Sequence, residues 1–201
     1  MRRLEPQVRE LKESFNQSVS NSFANTFFSR FITVANEEIH PAVTPIPAVI
    51  TVVTRLQSIL GQEIHVGEWH EVDQYLINNF ADVTGDDQWI HTDTERAEKE
   101  SPFKATVAHG FLVLSMLPKL RGLDSYAAKN YPEARMIVNC GMNEVRYLNP
   151  VKVGSAIRSR TFLRKIEPNK RSIDLTEEVI VDIHNSKKEA LRTELLTRIY
   201  L

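Results

Sequence analysis

Two short stretches hold the residues whose types and spacing could do chemistry. Thr84-Gly85-Asp86-Asp87-Gln88-Trp89-Ile90-His91 sets a carboxylate and an imidazole five positions apart, and Ala108-His109-Gly110-Phe111 follows downstream. A carboxylate and an imidazole on one loop can hold a water between them and exchange protons with it. Positioned acid–base groups of this kind contribute roughly 10²–10⁴-fold to a rate. Gly85, just before Asp86, lets the loop turn tightly. Gly110 opens an apolar run that reads as a helix. Free backbone donors and the helix dipole favour negative charge there, and one such donor to a developing oxyanion is worth about 10²–10³-fold.

Each residue also has a plainer reading. Gly85-Asp86-Asp87 could be only a turn or a helix cap. His109 either caps and orients the helix that follows or contacts the reacting group. His91 and Asp93 form a possible metal pair, but no third cysteine or histidine has zinc-site spacing, so no metal is expected. His40, His65, His70 and His184 read as packed or solvated, and Cys140 as core. The joint pattern of Asp86, His91 and His109-Gly110 ahead of an apolar helix is what favours catalysis over a turn.

The elements that must position these residues follow from periodicity. Asp73 to Val83 predicts a short amphipathic helix capped by Asp73. Thr94 to Glu100 predicts another turn or two of helix, and His109 to Leu120 a helix apolar nearly all round and therefore buried. Gln62 to Val72 predicts short extended segments around Gly67. Arg135–Leu148, Ser155–Ile166, Ser172–His184 and Glu189–Tyr200 alternate or run β-branched, with breaks at Asn149-Pro150, Pro168-Asn169 and Asn185-Ser186. Four such strands after a buried helix predict an α+β layout, an antiparallel sheet around that helix.

The N-terminal part differs. All seven glycines lie at or after Gly61. Leu4, Val8, Leu11, Phe15, Val19, Phe23, Phe27 and Phe31 recur every three or four residues, one apolar stripe on one or two helices. Pro41, Pro45 and Pro47 mark a connector, and Val49 to Leu60 reads as a second helical stretch or a strand at its β-branched start. The expected division is an N-terminal helical extension over 1–60 and a main domain over 61–201.

Composition excludes several classes. Lys and Arg total 25 against 26 Asp and Glu, so no basic excess points to nucleic acid. No apolar run approaches the ~18 residues of a membrane helix, and Met1-Arg2-Arg3-Leu4-Glu5-Pro6 lacks the apolar stretch of a signal peptide. The single cysteine forbids an internal disulfide and suits a reducing cytoplasm.

Asp86 and His91, with the downstream His109-Gly110, resemble the signature of MaoC-like hydratases. The Gln88-Trp89-Ile90-His91 wording, Ser101-Pro102-Phe103, Ala108 to Leu117, and Asn143 to Asn149 before Pro150-Val151 are most similar to the nodulation-protein-N branch. The likeness covers roughly residues 62–160 and does not reach 1–60. It implies a hot-dog fold, reversible hydration of a trans-2-enoyl thioester to the (3R)-hydroxyacyl thioester, and usually a homodimer with the acyl tunnel near the subunit interface. Asp86 and His91 match the catalytic positions; Gly110, Gln88 and His109 are the implied oxyanion and substrate-binding residues. Coenzyme A is the implied carrier, with acyl carrier protein second, and no prosthetic group is called for. Arg135, Arg146, Arg158 and Arg160 are either solvated strand faces or contacts for the coenzyme A phosphates. Most family members carry asparagine and proline where this chain has Gln88 and Trp89, and some have serine where Pro118 stands. Two other readings stay open: a hot-dog thioesterase, and a non-catalytic acyl-thioester-binding subunit.

Overall fold

Pro47 has no backbone donor to leave unpaired and a φ already suited to helix, so it opens α1 (Pro47–Gln57) of the computed structural model, which describes residues 44–201. The N-terminal stripe from Leu4 to Phe31 lies outside the described residues. Val49, Val52 and Leu56, spaced three and four apart, bury one face of α1 against Tyr126, Tyr131, Leu163, Leu175 and Ile199. The compact unit spans Val43–Leu201, because α1 supplies part of its core.

The sheet is antiparallel throughout. β1 (Glu63–Val66) and β2 (His70–Val72) both pair with β4 (Ser155–Pro168). β5 (Ser172–Ile183) and β6 (Glu189–Tyr200) follow, and β3 (Met136–Tyr147) closes the order β1-β4-β5-β6-β3 as an edge strand. Side chains alternate across the sheet with period two. Leu163, Ile173, Leu175, Val179, Leu191, Leu195 and Ile199 consequently point inward and are buried. Each such side chain contributes roughly 1.5–3 kcal/mol relative to exposure.

α2 (Gln74–Thr84), α3 (Trp89–Thr92) and α4 (Thr94–Glu100) follow β2 and lead to the central helix. That helix is not continuous: it comprises α5 (Gly110–Ser115) and α6 (Leu117–Leu120). Pro118 cannot donate to the carbonyl of Leu114, which breaks the hydrogen-bond ladder near Met116. The path continues in one direction, since Leu120 N–H donates to Met116 O and Arg121 N–H to Leu117 O. Leu112, Val113, Met116, Leu117 and Leu120 are buried with Val72, Ile77, Ile157, Val179 and Leu191. Phe111 departs from the reading of a helix buried on every side: it is 68% exposed. The sequence pattern does not announce α7 (Leu123–Asn130), in which only Tyr126 and Asn130 are buried. A central helix cradled by a single antiparallel sheet is the expected α+β, hot-dog arrangement. Among the described residues no helix is long and apolar enough to cross a membrane.

Candidate active site

α2 delivers the chain to Asp86. Asp73 Oδ1 accepts the Leu76 N–H at 2.7 Å and starts the helix, as the sequence predicts. Gly85 ends it with a left-handed φ of +74°, its N–H donating to Ala81 O at 2.7 Å. A side chain there would be strained, so glycine permits the sharp exit that sets Asp86 and Asp87 beyond the helix. Gln88 caps the single turn of α3: its carbonyl accepts the His91 N–H at 2.8 Å. Asp93 Oδ1 accepts from Arg96 N at 2.9 Å and starts α4, which holds the Arg96 guanidinium 4.4 Å above the Trp89 ring. Trp89 stands at the first helical position, where proline is also at home, so the chain keeps its turn without it.

His91 and His109 are pinned at opposite ring nitrogens. His91 Nδ1 lies 2.7 Å from Val107 O, and a carbonyl only accepts, so Nδ1 carries the proton and Nε2 keeps its lone pair. His109 Nε2 lies 2.8 Å from Asp86 O and is the protonated nitrogen by the same logic. His109 Nδ1 is left buried with no hydrogen-bond partner. The two rings stack with centroids 3.8 Å apart and 29° between planes, and Phe80 packs 5.1 Å from His109. Asp86, His91 and His109 thus come together, with one ligand-type atom from each within 4.8 Å of the others.

The backbone around the pair is fixed from three sides. Val107 N–H donates to Ile90 O at 3.1 Å, Ala108 N–H to Val151 O at 2.8 Å, and Val153 N–H to Thr106 O at 3.0 Å. Gln74, which no sequence pattern singles out, ties these strands of chain together. Its Nε2 donates to His91 O at 2.8 Å, and its Oε1 accepts from the buried Thr106 hydroxyl at 2.6 Å. The segment then enters α5 at Gly110, where a Cβ would meet the Tyr147 ring at 2.9 Å. A cavity of about 230 Å³ opens there, lined by Ala108, Gly110, Val113, Tyr147, Asn149 and Val151. Burial raises the Tyr147 phenol above its ordinary value. Gln88 itself is exposed, and its backbone rather than its amide carries its contacts to α3.

The other candidates lie elsewhere. Arg146 pairs with Glu144 at 3.1 Å, Arg158 with Asp182 at 3.5 Å, and Arg160 with Asp182 at 2.9 Å. Three of the four arginines are therefore committed to carboxylates. His65 packs edge-on to Tyr126 at 5.0 Å, and burial together with Arg121 and Lys129 lowers its pKa. His184 packs 4.8 Å from Trp69, and Cys140 is half-buried on β3.

The sequence matches the family described as MaoC like domain over residues 55–185. The chain belongs to this family. Among its MaoC-like relatives, nodulation protein N of Rhizobium leguminosarum bv. viciae is 41% identical over 141 residues, 70% of this chain and 86% of that protein. The 3-hydroxyacyl-thioester dehydratase Z of Mycobacterium tuberculosis is 36% identical over 147 residues, 73% of this chain and 94% of that one. In structure, the monoamine oxidase regulatory protein from Archaeoglobus fulgius superimposes with a TM-score of 0.61 at 27% identity, covering 70% of this chain and 90% of that one. The hot-dog fold and the nodulation-protein-N likeness read from the sequence both hold.

Proposed function

We propose that the protein hydrates trans-2-enoyl thioesters reversibly to (3R)-hydroxyacyl thioesters, with Asp86 and His91 as the acid–base pair. The observation that carries this reading is the His91 tautomer. Its Nδ1 proton is committed to Val107 O, which leaves the Nε2 lone pair free to receive a proton. The Asp86 carboxylate provides the second acceptor for a water held between the two. In the hydration direction the water oxygen bonds to C3 of the enoyl group. The proton it loses is taken by the pair and returned to C2, so no net proton is exchanged with solvent. Negative charge builds on the thioester oxygen in between, and the Gly110 N–H, at the start of α5, is the proposed donor to it. Proton bookkeeping of this kind needs no prosthetic group.

His109 acts through position in this scheme: it holds the Asp86 carbonyl and buttresses the His91 ring. Coenzyme A is the proposed carrier and acyl carrier protein the second choice. A homodimer is the proposed assembly, for which the edge strand β3 offers unpaired backbone groups. The test is a hydration assay on trans-2-enoyl-CoA, following loss of the conjugated-thioester absorbance with chiral analysis of the product. The expected product is the (3R)-hydroxyacyl thioester. Exclusive (3S) product, or thiol release without hydration, overturns the reading, and the second outcome makes the protein a thioesterase.

A further inference from the structure

A cleft of about 410 Å³ opens on the outer face of the sheet, lined by Trp69, Arg158, Arg160, Asp182, Lys187 and Glu189 among others. Trp69 is 37% exposed, and the Arg158 guanidinium lies 4.5 Å over its ring. Asp182 is taken by Arg158 and Arg160, and Glu189 by Arg192, so Lys187 is the cation left over. Lys187 and the adjoining Lys188 are exposed, and neither has an ion-pair partner among the described residues. Their turn between β5 and β6 is shaped by its own sequence. Asn185 takes a left-handed φ of +55°, which asparagine tolerates, and Ser186 Oγ accepts the Lys188 N–H at 3.0 Å. An exposed aromatic ring beside spare cations is what a nucleotide needs, a surface for its base and charge for its phosphates.

Short backbone contacts join this cleft to the acid–base pair. Glu189 O, on the cleft, accepts from Asn149 Nδ2 at 2.8 Å. Val151 O, two positions further on, accepts the Ala108 N–H at 2.8 Å. Ala108 stands between His109 and Val107, whose carbonyl holds His91 Nδ1 at 2.7 Å. Lys152 pairs with Val107 in an isolated bridge, so an exposed cation without an ion-pair partner also stands near the His91 end of this route. Asn149 to Val151 spans at most about 7 Å, and the whole route is on the order of 20 Å. An extended phosphopantetheine arm reaches about 16 Å from sulfur to its phosphorus, and a diphosphate adds roughly 5 Å, at about 1.25 Å advance per bond. A thioester at His91 thus brings the nucleotide of coenzyme A to the cleft.

Resting on the hydratase reading above, we infer that this cleft takes the phosphorylated adenosine of coenzyme A, with the purine against the Trp69–Arg158 stack and phosphate on Lys187 and Lys188. Coenzyme A, rather than a carrier protein, then presents the acyl group.

Calorimetric titration of the full chain with free coenzyme A, and with 4′-phosphopantetheine, which ends before the nucleotide, tests this. Coenzyme A should bind on the order of tenfold tighter, the size of one stacked base. Lys187→Ala combined with Lys188→Ala, and separately Trp69→Ala, should each bring the ratio of the two Kd values toward one. Equal binding of the two probes by the unmodified protein overturns the inference even if Trp69→Ala fails to fold. So does a ratio that the lysine variant leaves unaltered, or no binding of coenzyme A at millimolar concentration. Higher kcat/KM for a crotonyl group on acyl carrier protein than on coenzyme A overturns the choice of carrier. Hydration of the four-carbon crotonyl-CoA separates this inference from its parent: turnover with equal binding of the two probes sinks the cleft alone. No turnover of any thioester, with the binding ratio intact, sinks the hydratase reading and leaves the cleft a coenzyme A site.

Discussion

The imidazoles of His91 and His109 stack at 3.8 Å while hydrogen-bonding in opposite senses, His91 through Nδ1 to Val107 O and His109 through Nε2 to Asp86 O. One ring therefore keeps Nε2 clear of that backbone hydrogen bond, and the other fixes the backbone of the carboxylate beside it. Histidine at 109 can do both jobs because it is flat enough to stack and carries a donor at its far edge.

Asp86→Asn and His91→Ala should each lower kcat by on the order of 10²-fold or more with the fold kept. Both groups act on one water, so the double variant should lose far less than the product of the two single losses. Steady-state kinetics on enoyl-CoA, with circular dichroism as the check on folding, measures this. Near-normal turnover by Asp86→Asn would remove Asp86 from the mechanism.

His109→Phe retains an aromatic ring against His91 and Phe80 but loses the donor to Asp86 O. The expected result is a kcat about tenfold or more below normal, the size of one lost positioning hydrogen bond. His109→Gln, which restores an N–H donor, should recover part of that loss. A fall in thermal stability with kcat unchanged would make His109 structural only.

Gln74→Leu removes the bridge between His91 O and the Thr106 hydroxyl while preserving the side chain's bulk. It leaves the buried Thr106 hydroxyl short of its acceptor, which costs about 1–3 kcal/mol. The melting temperature should fall modestly, and kcat should fall more than KM rises, because α3 and the His91 ring lose their register with Val107. A change confined to melting temperature would show that Val107 O suffices to hold His91.

Much of this was legible in the sequence. The predicted Thr94–Glu100 helix and the Glu189–Tyr200 strand coincide with the observed elements, since periodicity and caps are local signals. The residue types at Asp86, His91 and His109 were visible too, but not that His109 reaches back to the Asp86 carbonyl, a contact across 23 positions. The packing of α1 was not legible because its buried face meets strands more than a hundred residues away, at Leu163 and Ile199. α7 stayed silent because it buries only two side chains. Glu177 and Glu178 stand side by side in β5, and nothing local says which faces inward. Register decides it: Glu178 meets Arg164 and Arg192 on the outer face, while Glu177 is fully buried against Arg121.

That inward carboxylate gives a pH-dependent prediction. Burial opposes ionisation of Glu177, but the Arg121 guanidinium and the hydroxyls of Tyr126, Tyr131 and Thr197 outweigh it and hold its pKa below the ordinary glutamate value. A group depressed in the folded state adds stability above its unfolded pKa, about 4.3 for glutamate, and loses it as pH falls through the folded value. Glu177→Gln removes the charge and strands the Arg121 cation, which is 5% exposed, in the core. Breaking one side of a buried pair costs about 3–5 kcal/mol. Urea denaturation near neutral pH should therefore show the variant less stable by that order. The gap should narrow as pH drops below the ordinary glutamate range, because the parent protein then protonates the same carboxylate. A gap that widened from neutral to acid pH would mean that Glu177 is already protonated in the folded protein, and that Arg121 is held by the hydroxyls and the Tyr126 ring rather than by charge.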